Sequence, residues 1–183
     1  MSNPMTPIEF RQQFIAGALS DPGINDIPEL KEQLSKFVMF ERKTLLAHGV
    51  GQPAADFLAE GGLPQDAAPY LSFDAYSEQG LEELYALYMP TGLYPLGSNG
   101  SGDPLGIEIA TQAIVYFNHD ARMERVFINS SVPQFAQSLL CYQQLLRERK
   151  VDALLERLRS IDPAAAEEGT MWHAEAAANP YWD

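Results

Sequence analysis

The fold is decided by a stretch that reads LYPLGSNGSGDPLGIEIATQAIVYFNHDARMERVFIN, residues 93–129. Its apolar residues fall into four runs, at 93–96, 105–109, 113–118 and 124–129, and short connections separate them. Runs of this length with connections this brief predict the strands of an antiparallel meander. The third run is apolar on both faces, which is typical of a central strand.

A long helix is predicted directly after these strands. Ser131 and Gln134 match the Ser-x-x-Gln capping box that begins many helices. Helical spacing of apolar residues continues over 151–161, either in the same helix or after a break near Lys150, and Pro163 ends it. The buried stripe predicted for the first part of this helix is Phe135, Leu139, Tyr142 and Leu146.

The N-terminal half predicts shorter helices. One begins at Thr6 with a capping box, a second begins at Pro28, and a third covers 53–60. Segment 81–88 has helical spacing, although its Tyr and Leu residues would also suit a strand. A chain of 183 residues is expected to form one domain with its own core. We predict a core that packs Leu105, Ile107, Val115, Phe117, Val126 and Ile128 against Phe135, Leu139 and Tyr142.

Acidic residues are concentrated in the middle of the chain. The formal net charge is −13, and no Lys or Arg occurs between Lys43 and Arg122. Nucleic acids and anionic membranes are disfavoured as partners because both require cations on the protein. A basic protein partner would be attracted, although a need for solubility alone would also explain the acidity.

The composition also predicts a cytoplasmic protein. The single cysteine, Cys141, excludes an intramolecular disulfide, and its place on the predicted long helix favours a buried thiol. No run of about 20 apolar residues could span a membrane. We also find no basic region followed by an apolar run, the pattern of a signal peptide.

The loop at 97–103 reads GSNGSGD and invites comparison with phosphate-binding loops. It has no Lys followed by Ser or Thr, it lacks the third glycine of a dinucleotide fingerprint, and Asp103 would repel phosphate. We therefore interpret Gly97, Gly100 and Gly102 as structural loop residues, and we expect at least one of them at positive φ.

Patterns for catalysis and metal binding are weak. The chain has three histidines and no Gly-x-Ser-x-Gly motif, and His119 lies in a predicted turn. One cysteine excludes the usual zinc sites, and Asp103, Glu108 and Asp120 match no calcium-binding loop. The sequence therefore predicts no catalytic residue, no cofactor and no metal.

Four stretches form an ordered set of motifs: GLP at 62–64, LGSNGSGDP at 96–104, VYFNHD at 115–120 and FINSSVPQF at 127–135. Their order and spacing resemble the SUKH superfamily of bacterial immunity proteins over roughly residues 57–146. The resemblance implies an α+β fold, a single domain with a curved, mostly antiparallel sheet flanked by helices. A helical extension at 6–50 and an acidic tail at 163–183 lie outside the match.

The resemblance also implies a function. Many members look like immunity proteins that bind and block a polymorphic toxin, often a nuclease or a nucleic-acid deaminase, and no catalytic residues are attributed to the fold. A basic nuclease would suit an acidic inhibitor that mimics phosphate. The alternatives are a scaffold or regulatory binding domain without a toxin partner, as in a fungal relative, and a hydrolase that no motif reveals. The oligomeric state is left open.

We predict that the partner binds an acidic surface formed mainly by residues 51–120. Because this segment contains no Lys or Arg, neutralisation must come from the distant helix with Arg147, Arg149 and Lys150, or from a partner. The expected contacts lie in or beside loops, or opposite the apolar face of a strand. They are Asp74, Glu78, Asp103 and Glu108.

Overall fold

The computed structural model describes residues 5–178, and within them the strands form two antiparallel sheets. The small sheet pairs β1 (Phe37–Val38) with β2 (Leu63–Pro64). The strands of the large sheet are β3 (Asp66–Ala67), β4 (Leu71–Phe73), β5 (Leu93–Ser98), β6 (Pro104–Glu108), β7 (Ile114–Asn118) and β8 (Glu124–Asn129). They lie side by side in chain order, which confirms the predicted meander.

Helices flank the sheets, and together they confirm the predicted α+β class. The first helix has the predicted capping box: the backbone N–H of Glu9 donates to Thr6 Oγ1 at 3.2 Å, and the backbone N–H of Thr6 donates to Glu9 Oε2 at 2.8 Å. The helices are α1 (Pro7–Ala18), α2 (Pro22–Asn25), α3 (Pro28–Leu34), α4 (Arg42–Ala47), α5 (Gln52–Glu60), α6 (Glu78–Leu87), α7 (Val132–Glu148), α8 (Leu154–Ile161) and α9 (Met171–Ala177).

The end of α7 decides between the two interpretations of the apolar spacing that follows it. The helix stops at Glu148, and Arg149 takes a left-handed conformation with φ 54°. A 3-10 turn then covers Val151–Ala153, and α8 begins at Leu154. The chain therefore breaks near Lys150 and forms two helices, which bury their apolar residues separately in the same core.

The main core lies between one face of the large sheet and the helices. Phe135 and Leu139 of α7 are buried together with Leu105, Ile107 and Ile128 of the sheet. Tyr142 is buried as well, and Val126 is half-buried against the same cluster. The predicted packing of α7 on β6 and β8 is therefore confirmed.

The predicted core was wrong for two side chains of β7. Val115 and Phe117 belong to a second cluster on the opposite face of the sheet, whereas Ile114 and Tyr116 belong to the main core. Since this strand is apolar on both faces, alternation alone did not show which set of residues meets α7. The other buried members of the second cluster are Met89, Leu93 and Ala113.

The C-terminal segment is attached to the sheet by a buried hydrogen-bond network. The indole of Trp172, which is fully buried, donates to Asn129 Oδ1 at 3.0 Å. The Asn129 amide donates in turn to Asp162 Oδ2 at 3.0 Å and to the Ser138 hydroxyl at 3.0 Å. Trp172 therefore fixes part of the predicted acidic tail to the sheet, whereas Tyr181 and Trp182 lie outside the described residues.

No helix within residues 5–178 is long and apolar enough to cross a membrane. In the same range, no three His, Cys, Asp or Glu side chains gather closely enough to hold a metal ion.

Candidate functional site

A groove of about 890 Å³ opens between the β3–β4 hairpin and helices α7 and α9. A second cavity of about 360 Å³ adjoins it, and Tyr70, Leu71, Gly100 and Glu175 line both. We call the two cavities together the Tyr70 groove. Its lining within the described chain includes no Lys, Arg or His. Most of the remaining lining residues are small or apolar: Leu34, Ala67, Ala68, Pro69, Leu146, Met171 and Ala178.

Tyr70 is unusually placed for a large aromatic residue. Its side chain is 84% exposed, and its backbone is in the left-handed region at φ 56°. A bulky residue in this region costs about 1–2 kcal/mol, and an exposed ring gains nothing from burial. The backbone conformation lowers stability and burial of the ring does not offset it, and exposed aromatic residues of this kind are common in binding surfaces.

Glu175 of α9 brings negative charge into the groove. The side chain is half-buried and accepts a hydrogen bond from Tyr142. Burial raises the pKa of Glu175, and the hydrogen bond opposes that effect without cancelling it. Burial also raises the pKa of Tyr116, another lining residue, and the nearby charges of Asp103 and Glu175 add to this increase. The groove is therefore an electronegative and partly dehydrated site.

One wall of the groove is the loop that contains the three predicted structural glycines. Gly102 has φ 82° and Gly97 has φ 154°, where a Cβ atom would lie 1.9 Å from the carbonyl oxygen of Ser72. A Cβ atom on Gly100 would lie 2.9 Å from Tyr70 Cβ. The loop therefore needs glycine both for its backbone conformation and for close approach to β4 and to Tyr70.

Asp103 stabilises this loop through the hydrogen bonds of its buried carboxylate. Its carboxylate accepts from Asn99 Nδ2 at 2.8 Å and from the backbone N–H of His119 at 2.9 Å, and it lies 2.6 Å from His119 Nδ1. Burial alone would raise the pKa of Asp103, but the hydrogen bonds from His119 and Asn99 outweigh it and the pKa is lowered. Asp103 is only 3% exposed, so it does not lie on the open surface that the sequence suggested.

Glu108, another predicted contact, is already paired with side chains of this protein. Arg125 donates two hydrogen bonds to its carboxylate, one from Nε at 2.6 Å and one from Nη2 at 2.9 Å, and the Thr111 hydroxyl donates a third. The hydrogen bond from Arg125 lowers the pKa of Glu108 although burial opposes it. A partner that used Glu108 would therefore have to compete with Arg125 for the carboxylate.

Five exposed carboxylates belong to β3, to the segment after β4 and to α6, and two of the predicted contacts, Asp74 and Glu78, are among them. Asp66 and Asp74 line a shared cavity of about 260 Å³, and Asp66 also lines the Tyr70 groove. Glu78 and Glu82 lie one turn apart on α6 and so share a helix face. We call Asp66, Asp74, Glu78, Glu82 and Glu83 the acidic surface, and all five are exposed.

Within residues 5–178, only one member of the acidic surface lies within 4 Å of a basic side chain. Glu78 Oε2 lies 2.9 Å from His48 Nε2, and this hydrogen bond lowers the pKa of Glu78. The contact joins the start of α6 to the end of α4, where the His48 ring also stacks on Tyr85 with centroids 6.4 Å apart. Burial, together with Tyr85 and Glu78, raises the pKa of the neighbouring Tyr94 to about 12.

The source of neutralising cations differs from the one expected from sequence. Arg125 pairs with Glu108, and Arg42 pairs with Asp56. Both arginines flank the acidic segment in sequence and come next to it in space. Arg147 of α7 donates instead to carbonyl and hydroxyl oxygens at the end of α1. Nearby arginines therefore neutralise some carboxylates of the acidic segment. Within the described chain, none of them forms an ion pair with Asp66, Asp74, Glu82 or Glu83.

Sequence reasoning missed three groove residues: Tyr70, Tyr116 and Glu175. Tyr116 was assigned to a strand without a functional role, and Glu175 belongs to a segment interpreted as an acidic tail. The available signal for Tyr70 was its position directly after Pro69 and directly before β4, where a turn residue is exposed. No sequence pattern indicates that α9 lies next to the β3–β4 hairpin, so the groove between them could not be predicted from sequence.

The profile of the SUKH-4 immunity protein family matches residues 29–178, a range that includes the acidic surface and the lining of the Tyr70 groove. The chain belongs to the SUKH-4 immunity protein family, which is part of the SUKH superfamily, and the resemblance found in the motifs is confirmed. An immunity-protein role and a toxin as protein partner follow from this membership. No curated protein and no solved structure matches the chain.

Proposed function

We propose that this protein neutralises a basic toxin, such as a nuclease or a nucleic-acid deaminase, by binding it through the acidic surface. The observation that carries this proposal is the set of exposed carboxylates at Asp66, Asp74, Glu82 and Glu83, which no Lys or Arg within residues 5–178 neutralises. Toxins that act on nucleic acids need cations to bind phosphate, and an acidic surface occupies those cations.

Exposed side chains on α6 support the same surface. Leu87 at the end of the helix is 76% exposed, Tyr88 directly after it is 58% exposed, and Tyr85 is 38% exposed. Tyrosine is enriched in protein–protein interfaces because it supplies a large contact area and a hydrogen bond. The charges would guide encounter with the toxin, and these aromatic and apolar residues would supply contact area after encounter.

A growth assay tests the proposal. A toxin whose gene adjoins the gene of this protein is expressed alone, with this protein, and with the double variant Asp74→Lys, Glu82→Lys. We expect the wild-type protein to restore growth and the double variant to protect much less, because both substitutions place cations on the surface that meets the basic toxin.

The matched control is the double variant Asp152→Lys, Glu156→Lys, which makes the same change in charge at exposed positions near and in α8. It should protect as well as the wild type. Equal protection by both double variants would contradict the role of the acidic surface. Absence of protection by the wild-type protein would contradict the toxin-neutralising function and favour a scaffold without a toxin partner.

A further inference from the structure

The Tyr70 groove combines features that suit one chemical class of ligand. It is lined by apolar and small residues, by the tyrosines Tyr70 and Tyr116, and by two acidic residues, Asp66 and Glu175. Apolar walls with a half-buried carboxylate fit a ligand group that is flat, cationic and only weakly hydrated. A guanidinium group has these properties, since it stacks on aromatic faces and binds carboxylates with two hydrogen bonds.

We propose that the Tyr70 groove binds an arginine side chain of the toxin, with Glu175 as its counter-ion and Tyr70 as the ring that covers it. This inference rests on the proposed function, and it names the residue type that the toxin contributes. The groove adjoins the acidic surface through Asp66, so a single toxin face can contact both.

Charge complementarity argues for this occupant. Glu175 has one hydrogen-bond partner, Tyr142, and no ion pair with any described residue. Its raised pKa shows that burial penalises the charged form, and an arriving cation would relieve that penalty. A second copy of this acidic chain is a poor occupant, because it would bring more negative charge to the same place.

Peptide titration of the full-length protein tests the groove directly. The probes are a capped Ala-Leu-Arg-Leu-Ala peptide and the same peptide with citrulline, which is neutral and nearly the same shape. Nuclear magnetic resonance follows the amides of Tyr70, Ser101 and Glu175. We expect saturable shifts with the arginine peptide and binding about tenfold weaker with the citrulline peptide.

Two variants connect the groove residues to this binding. Glu175→Gln and Tyr70→Ala should each weaken the arginine peptide about fivefold or more. The matched control is Glu168→Gln, an exposed acid that precedes α9 and does not line the groove, and it should leave the affinity unchanged. Glu175→Gln should also keep or raise the unfolding temperature, an outcome that a purely structural role for Glu175 would not give.

Several outcomes would overturn the inference. They are equal affinity for the two peptides, no shifts at about 10 mM arginine peptide, or an unchanged affinity in Glu175→Gln. Concentration-dependent shifts without peptide would assign the groove to a second copy of the chain. Shifts of the groove amides on removal of residues 179–183, without any effect of the arginine peptide, would assign it to the chain's own C-terminal segment.

The toxin itself separates this inference from the proposed function. If the wild-type protein protects cells and the variants Glu175→Gln and Tyr70→Ala bind the toxin with unchanged affinity, the groove inference fails and the immunity function stands. If the wild-type protein gives no protection, the proposed function fails, and the peptide titration still decides what the groove binds.

Discussion

The hydroxyl of Tyr142 donates a hydrogen bond to the carboxylate of Glu175, and this contact joins α7 to α9 inside the Tyr70 groove. Among residues 5–178, Glu175 is half-buried with this one hydrogen bond and no ion pair, a costly arrangement for a charged group. A side chain that is costly for folding and faces a groove is a reasonable position at which to expect binding.

The first prediction concerns the stability cost of Glu175. Folding raises the pKa of this carboxyl above its ordinary 4.5, so the folded state binds the proton more tightly than the unfolded state. Its contribution to stability is full below the unfolded pKa and is lost as the pH rises through the raised value. We expect Glu175→Gln to be more stable than the wild type near pH 7, with a difference that shrinks toward about pH 4.

Urea unfolding at several pH values measures this difference, with Glu168→Gln as the control. The control should unfold like the wild type at each pH, because its position is exposed. A Glu175→Gln variant that is clearly less stable than the wild type near neutral pH would show that the carboxylate supports the fold.

The second prediction concerns the opposite case, Asp103. Its lowered pKa means that its contribution to stability is present above the ordinary value of 3.8 and is lost as the pH falls through the lowered value. We expect Asp103→Asn to lower the free energy of unfolding by about 2 kcal/mol near neutral pH, because it weakens charge-assisted hydrogen bonds from His119 and Asn99.

The control for Asp103 is Asp120→Asn, a change in the neighbouring turn at a side chain that is 83% exposed. It should alter the free energy of unfolding by less than about 0.5 kcal/mol. If chemical denaturation gave an equally small change in the free energy of unfolding for both substitutions, the hydrogen bonds of Asp103 with His119 and Asn99 would contribute no stability.

The third prediction concerns the contact of α7 with the sheet. Phe135 is fully buried and lies against Phe73 with ring centroids 5.9 Å apart. Phe135→Ala should lower the free energy of unfolding by about 3–5 kcal/mol. Leu87→Ala, at an exposed position of α6, should change it by less than about 0.5 kcal/mol. A loss below about 1 kcal/mol for Phe135→Ala would mean that the cavity collapses without cost.

The fourth prediction concerns the attachment of the C-terminal segment. Trp172→Phe keeps an aromatic ring but removes the donor to Asn129, so a buried amide oxygen loses its indole partner. The expected loss of stability is about 1–3 kcal/mol. Hydrogen exchange should show the largest effect in α9, and unchanged protection there would contradict the role of this bond.

The central part of the fold was predictable because local patterns there agree with tertiary packing. The capping boxes at Thr6 and Ser131 placed the starts of α1 and α7, and turn residues separated β5 to β8. Which side chains of β7 point toward α7 was not predictable, because the strand is apolar on both faces and its alternation favours neither set. The helix break at the left-handed residue Arg149 was not predictable either, because the helical spacing of apolar residues continues on both sides of it.

The candidate site was only partly predictable. Exposed carboxylates at Asp74 and Glu78 followed from the distribution of charge along the chain. Asp103 finds its partner in His119, which follows the neighbouring strand β7, and Glu108 is paired with Arg125 two strands away. Contacts between distant segments have no one-dimensional pattern, and the groove between β4, α7 and α9 is made of such contacts.

The measurement that most directly tests the central claim is the rate of association between this protein and the purified toxin as a function of salt. If the acidic surface guides encounter, the rate constant should fall about tenfold or more between low and high ionic strength. The variant Asp74→Lys, Glu82→Lys should associate more slowly and depend less on salt. A rate constant that is independent of salt and equal in the two proteins would contradict the account.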